Sequence, residues 1–155
     1  MDVEVKLEGL TGILGKLASL SRAGDTAVDE ALLETATLMQ GHAQKTVRET
    51  AYDTGTLFRR IAVEKSEKGY TVGTNLEYAP YVEYGTGLKG DPSVPHTRRR
   101  YWRYQDENGD WHTSTGMKAR PFLRPAAAKY KTYLPKLVRK KIWDKMKSPF
   151  TGGRK

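Results

Sequence analysis

Cysteine is absent from this sequence of 155 residues, which excludes disulfide bonds, thiolate metal sites and thiol nucleophiles. Long apolar runs are absent too, since none approaches the roughly 20 residues that a membrane-spanning helix needs. We therefore expect no contact with a membrane. The first six residues are acidic and alternate in polarity, unlike a secretion signal, so we expect assembly in the cytoplasm.

Histidine is scarce, and the three histidines do not form a metal-binding pattern. No two of His42, His96 and His112 have the i, i+4 spacing typical of zinc ligands, and no acidic cluster lies beside them. The chain also lacks a G-x-S-x-G nucleophile motif and a Walker phosphate-binding motif. We predict no metal, no cofactor and no catalytic residue, and hence no enzymatic activity.

One segment matches a nucleotide-binding pattern by letters alone. Gly85–Gly90 reads G-x-G-x-x-G, but a dinucleotide site needs these glycines between a strand and the start of a helix. Asp91-Pro92-Ser93-Val94-Pro95 follows, and this segment cannot open such a helix. We therefore predict a flexible loop at this position, with no nucleotide bound.

Length and composition favour one soluble globular domain. The chain is 37% hydrophobic and 29% charged, within the usual range for such domains. Two domains would each be small at this length. We expect a single domain over residues 1–147, in which residues 85–116 form an insertion rich in Gly, Pro, Arg and aromatic residues. Residues 148–155 lack apolar periodicity and are predicted to be a basic flexible tail.

Positive charge is concentrated at the C-terminal end. Residues 1–117 hold 14 Lys/Arg and 17 Asp/Glu, a net charge of −3, whereas residues 118–155 hold 13 Lys/Arg and only Asp144, a net charge of +12. Such a block attracts a polyanion or an acidic protein surface, or it is simply the solvated face of a helix. The sequence leaves these alternatives open.

Hydrophobic periodicity predicts an α+β fold. Val3, Val5 and Leu7 alternate with charged residues, as in a half-buried strand, and an apolar stripe with helical spacing runs from about Thr26 to Val47. The other predicted elements are a short helix at Leu10–Leu20, a hairpin of Ile61–Lys65 with Tyr70–Thr74, one or two helical turns in Glu77–Tyr84, and a C-terminal helix at Pro125–Met146. We expect a small mixed or antiparallel sheet packed against a long N-terminal helix and a C-terminal helix.

Two residues in the predicted helices carry specific expectations. Pro135 lies inside the C-terminal helical pattern and should kink or divide that helix, because proline removes a backbone donor and clashes with the preceding turn. His42 lies on the apolar stripe of the long helix, so we expect a packed and hydrogen-bonded side chain.

The insertion contains a second predicted hairpin, interleaved with arginines. Tyr101–Gln105 and Trp111–Thr113 flank a loop with the turn dipeptide Asn108-Gly109. Arginine guanidinium groups bind phosphate, and aromatic rings stack on bases, so this combination could bind single-stranded nucleic acid. The same residue types dominate protein interfaces, and we favour that interpretation.

Four segments in fixed order resemble a known family. They are Asp53-Thr54-Gly55-Thr56-Leu57, a hairpin ending in Val72-Gly73-Thr74-Asn75, the segment Tyr78-Ala79-Pro80-Tyr81-Val82-Glu83-Tyr84-Gly85-Thr86, and the segment Lys118-Ala119-Arg120-Pro121-Phe122-Leu123-Arg124-Pro125-Ala126. Together they resemble the tail-completion family of long-tailed bacteriophages, whose namesake is a small protein of phage Hong Kong 97. The resemblance covers roughly residues 3–146, with the insertion as its variable part.

This resemblance implies a structural protein of the phage neck, assembled in the host bacterial cytoplasm and carried in the virion. It implies a ring of identical subunits, a hexamer or alternatively a dodecamer, that completes the tail or joins it to the head. The implied partners are the head-closure (stopper) protein and the tail-terminator or tail-tube proteins, with non-specific contact to DNA in the lumen. The alternative function is a nucleic-acid-binding module built on the insertion and the basic C-terminal helix.

Two groups of candidate contact residues follow. The first is an interface with other subunits or partners, formed by Tyr78, Tyr81, Glu83, Tyr84, Arg98, Arg99, Arg100, Tyr101, Trp102, Tyr104, Trp111, Arg120, Phe122 and Arg124. Within it, Arg120 or Arg124 could pair with Glu77 or Glu83, in the same chain or across a subunit boundary. The second would contact DNA or an acidic partner and is formed by Lys136, Arg139, Lys140, Lys141 and Lys145.

Overall fold

The computed structural model describes residues 3–6, 22–51, 53–95, 99–105 and 108–147. The predicted short helix at Leu10–Leu20 and the predicted tail at residues 148–155 lie outside these ranges. In chain order the elements are β1 Val3–Lys6, α1 Arg22–Thr50, α2 Thr56–Arg60, β2 Ala62–Ser66, β3 Gly69–Thr74, α3 Ala79–Tyr84, a 3-10 turn Gly87–Lys89, β4 Trp102–Gln105, β5 Trp111–Ser114 and α4 Leu123–Lys147.

The three strands β1, β3 and β2 form an antiparallel sheet in that spatial order. Val72 of β3 pairs with Val5 of β1 on one side and with Val63 of β2 on the other. Val72 and Tyr70 are buried, because the alternation of β3 directs every second side chain towards the helices. The predicted hairpin of β2 and β3 is confirmed.

The core lies between the sheet and the two long helices, α1 and α4, which pack against each other in antiparallel orientation. Met39 and Ala43 of α1 are fully buried with Leu134 of α4 and Phe122, which precedes α4. Alanine recurs on the buried face of α1 at Ala27, Ala31, Ala36 and Ala43, and such small side chains allow α4 to approach closely. The predicted α+β class, with its long N-terminal helix and its C-terminal helix, is confirmed. Within the described ranges, no helix combines the length and apolar character that a bilayer crossing requires.

Pro135 was predicted to kink or divide the C-terminal helix, and of these two alternatives the division is wrong, since α4 continues through Pro135 to Lys147. An interior proline costs a helix roughly 3 kcal/mol. Packing on α1 offsets that cost on both sides of Pro135: Leu134 and Val138 are buried, and Lys141 forms an ion pair with Glu34 of α1.

Strands β4 and β5 form the predicted second hairpin, with Trp102 opposite Ser114 and Gln105 opposite Trp111. Only Trp102 and Ser114, at its base, are partly buried, whereas the other strand residues are exposed on both faces. The hairpin therefore contacts the body of the protein at its base and projects the rest of its length away from it.

Candidate functional site

The two family-like segments around Glu83 and Arg120 lie side by side. The backbones of Thr86 and Met117 exchange two hydrogen bonds of 2.8 and 3.1 Å, and the amide of Arg120 donates to the carbonyl of Val82 at 2.8 Å. The chain thus returns from the hairpin directly onto the segment that it left, which brings Glu83 to the start of α4.

The Glu83 carboxylate is fully buried and accepts hydrogen bonds from the first amides of α4. Its Oε2 accepts from the backbone amides of Phe122 and Leu123 at 2.7 and 2.9 Å, and its Oε1 accepts from the amide of Arg124 at 3.0 Å. These amides have no acceptor within the helix, and a negative charge is favourable at a helix N-terminus. Glu83 therefore acts as the N-cap of α4, although it lies 40 residues earlier in the chain than Leu123.

Arg124 joins Glu83 to Asp91. Its Nε donates to Glu83 Oε1 at 3.1 Å, one terminal nitrogen donates to Asp91 Oδ2 at 2.6 Å, and the other donates to the Glu83 carbonyl at 3.2 Å. The guanidinium also lies over the Tyr84 ring, 4.6 Å from its centroid. We call Glu83, Asp91 and Arg124 the clasp. The sequence predicts that Arg120 or Arg124 pairs with Glu77 or Glu83. The structure shows the pair of Arg124 with Glu83, within one chain.

Asp91 is held as a carboxylate by several donors. The Ser93 hydroxyl and amide donate to its Oδ1 at 2.6 and 2.9 Å, and together with Arg124 they hold the pKa of Asp91 well below its usual range. Sequence reasoning missed this role for Asp91 and Ser93. The signal was available, because aspartate two residues before serine is a common turn in which the side chain accepts from the backbone.

The G-x-G-x-x-G segment packs against the Met117 backbone and the Trp102 ring, in contrast to the flexible loop that the sequence predicts. Gly85 has φ +71° and ψ −175°, a conformation that is essentially restricted to glycine. A Cβ atom at Gly85 would lie 2.5 Å from the carbonyl oxygen of Met117. The Trp102 ring packs where a Cβ of Gly87 would be, so these glycines allow close crossing of backbone and ring.

The structure distributes the predicted interface residues between surface and interior. Glu83 and Phe122 are fully buried in the chain, so neither is exposed to form the predicted interface. Tyr84, Trp102 and Arg124 are partly buried. Exposed residues are Tyr78, Tyr81, Arg99, Arg100, Tyr101, Tyr104, Trp111 and Arg120. Arg98 lies outside the described residues.

The projecting hairpin presents its aromatic residues together with a cation. Arg103 lies 5.1 Å from the centroid of the Trp111 ring, and the rings of Tyr104 and His112 are tilted against each other at 5.5 Å. Trp111 and Tyr104 remain 60% and 48% exposed. Large aromatic side chains that stay this exposed are typical of a contact surface.

The basic residues of α4 fall into two classes. Lys141 and Lys145 form 2.7 Å ion pairs with Glu34 and Glu30 of α1, so these two predicted contact residues are already paired within the chain. The hydrogen bond to Glu34 raises the pKa of Lys141. In contrast, Lys136, Arg139 and Lys140 lie on the opposite face of α4, where they are exposed and have no ion pair among the described residues. 

His42 differs from its prediction. It packs edge-on against Tyr130 of α4, with ring centroids 5.9 Å apart, but its Nδ1 is buried and has no hydrogen-bond partner among the described residues. Burial lowers the pKa of His42, and the nearby cations Lys129 and Lys45 lower it further. Among the described residues, no group of three histidine, aspartate or glutamate side chains is placed to hold a metal ion.

Comparison with known families gives a match. Residues 12–85 match the family model described as "Bacteriophage HK97-gp10, putative tail-component", a stretch that includes α1, the β2–β3 hairpin and the segment ending at Gly85. The resemblance predicted from the sequence is thereby confirmed over this part of the chain. Comparison with curated proteins gave no match. Comparison with solved structures gave none either.

Proposed function

Residues 12–85 are similar to the HK97-gp10 tail-component family, and from that premise we propose that this chain is a structural virion protein of the phage neck. In this role it completes the tail or joins it to the head, as one subunit of a ring. A hexamer is the first candidate for that ring and a dodecamer the second. The proposed neighbours are the head-closure protein on one side and the tail-terminator or tail-tube protein on the other.

The clasp supports a structural role, with no enzymatic activity. The most distinctive polar residues of the two family-like segments, Glu83 and Arg124, bond to the start of α4 and to Asp91. Their chemistry is used to fix the fold, whereas the exposed groups are aromatic rings on the hairpin and cations on α4. This division suits a protein that acts by contact with other subunits.

The observation that carries the proposal is the family match, and imaging of particles tests it directly. In a phage that lacks this protein, we expect filled heads without attached tails by electron microscopy, with infectivity restored by supplying the intact chain. Joined, infectious particles formed without the protein would contradict the proposal.

A second candidate function, nucleic-acid binding, is favoured by one observation. Lys136, Arg139 and Lys140 form an exposed basic cluster with i, i+3 and i, i+4 spacing on α4, and no described carboxylate pairs with it. Such a cluster would bind phosphates without sequence preference.

A gel-shift titration at two salt concentrations separates the two functions. For the neck protein, we expect the isolated chain to show no submicromolar binding to DNA at physiological salt. For a nucleic-acid module, binding should be tight, and replacing Lys136, Arg139 and Lys140 by alanine should reduce the slope of log K against log salt by about 3. Replacing the paired Lys141 and Lys145 provides the control, since these lysines contact α1.

A further inference from the structure

The outward side of α4 exposes a large aromatic residue among cations. Trp143 is 57% exposed, whereas the opposite side of the helix packs on α1. In a helix, the residues three, four and seven positions before Trp143 and four positions after it lie on the same side as its ring. These residues are Lys140, Arg139, Lys136 and Lys147, and all four are exposed. We call the surface formed by these four cations and Trp143 the Trp143 face.

The cations of the Trp143 face have no carboxylate partner among the described residues, unlike the inward cations of the same helix. Lys141 and Lys145 form ion pairs with glutamates of α1. Lys147 instead places its Nζ over the Trp143 ring, 4.7 Å from the centroid. Like charges at i, i+4 spacing repel each other, so this face attracts an acidic surface that would neutralise them.

The apolar groups of this surface favour a protein as the occupant. Met146 and Tyr133 lie beside the Trp143 face and are 60% and 38% exposed. Tryptophan is among the residues that contribute most to protein interfaces, where its ring fills an apolar pocket. Duplex DNA contacts proteins mainly through phosphates and sugars, which offer no such pocket. A protein surface can supply the carboxylates and the pocket together.

A second copy of this chain offers little acidic surface for this contact. Many of its described carboxylates already form ion pairs within the chain, namely Asp29, Glu30, Glu34, Glu49, Glu83 and Asp91. The net charge of +9 also makes each copy repel the cations of another. The charge complementarity therefore favours a different and more acidic protein.

We propose that the Trp143 face docks on an acidic surface of another protein of the neck, with the Trp143 ring in an apolar pocket that carboxylates surround. The inference rests on the proposed function as a neck subunit, and it specifies the chemistry of one neighbour. In this contact Trp143 provides the anchor. The surrounding cations orient the partner and accelerate its association.

A photoreactive residue at position 143 tests the contact in assembled particles. With p-benzoylphenylalanine in place of Trp143, irradiation of joined particles should link the chain to a different virion protein, at a segment in which Asp and Glu outnumber Lys and Arg. The same residue in place of Leu33, an exposed leucine of α1, is the control and should not give that product. Linkage to DNA, to a second copy or to a segment that is not acidic, or no linkage at all, would overturn the inference.

Substitutions on the face test its role in assembly. Trp143→Ala and Lys140→Glu should each reduce the yield of joined particles about tenfold or more, as the loss of an interface anchor does. Thermal unfolding of the isolated chain should stay unchanged, because both side chains are exposed. Trp143→Phe should keep most of the yield. Lys68→Glu is the matched control, since it makes the same change of charge at the exposed turn between β2 and β3.

The outcomes separate the docking face from the neck function. Normal joining by the folded Trp143→Ala and Lys140→Glu variants would reject the face and leave the neck function standing. An equal loss in Lys68→Glu would assign the effect to net charge and would also reject the face. Normal joining without the protein at all would reject the function itself.

Discussion

Glu83→Gln is expected to lower the free energy of unfolding by about 3 kcal/mol. The carboxylate receives four donors on its two oxygens: three backbone amides and Arg124 Nε. An amide replaces one acceptor oxygen by a donor group, so two of these buried or partly buried donors lose their partner. The loss is measured by urea denaturation, from the shift in midpoint at constant slope.

Glu77→Gln is the matched control for this substitution. Glu77 lies six residues before Glu83 and is exposed, and a surface change of this kind is usually neutral within about 0.5 kcal/mol. Equal effects at the two positions would show that the buried carboxylate does not stabilise the start of α4. A shortened helix by circular dichroism in Glu83→Gln alone would locate the loss at that end.

Gly85→Ala is expected to destabilise the protein by about 3 kcal/mol or more, through two separate causes. The backbone conformation at Gly85 costs a residue with a side chain about 1 to 3 kcal/mol. In addition, the new Cβ would collide with backbone atoms of Met117 and Ala119, at 2.5 and 2.6 Å, and neither can rotate away. The midpoint of thermal or urea unfolding measures the sum.

Gly109→Ala separates the two causes. Gly109 also has a positive φ, +86°, but a Cβ there would meet nothing within 4 Å. This variant should therefore lose only the backbone contribution, about 1 to 2 kcal/mol. If both variants lost the same stability, close contact between the Gly85 turn and the Met117 segment would not contribute to the fold.

The contacts of Glu83 and Gly85 explain why the family-like segments have these residues. Glu83 fixes the start of α4, and Gly85 lets the chain pass next to Met117, so the insertion can leave and return at one place. Such a closed base tolerates a long insertion, because the entropy cost of closing a loop grows slowly with its length. The hairpin can therefore vary in sequence without disturbing the core.

Local patterns determined the elements of this protein. The 3.6-residue period of α1 and the alternation in β2 and β3 depend only on neighbouring residues, and both elements were found where the sequence placed them. The turn at Gly109 followed from its dipeptide, because Asn-Gly tolerates positive φ. Order and spacing of four short segments were enough to indicate the tail-component family.

The partners of the charged residues were decided only by the tertiary structure. Charged side chains are seldom fully buried, so the sequence indicated a surface role for Glu83. The fold overrides this tendency by placing three amides and a guanidinium around it. In the same way, Lys141 and Lys145 face acids of α1, whereas Lys136, Arg139 and Lys140 face outwards. Spacing alone shows which residues share a helix face, and it cannot show which element packs against that face.

The sequence by itself therefore determined the fold class, the positions of helices and strands, and the resemblance to phage tail components. The tertiary structure decided that Pro135 is tolerated inside α4, that Glu83 caps a distant helix, and that Gly85 passes close to the backbone of Met117. The physical reason is the range of the interactions involved. Periodicity and turn preference act between near neighbours in the chain, whereas capping, ion pairing and close packing depend on residues that only folding brings together.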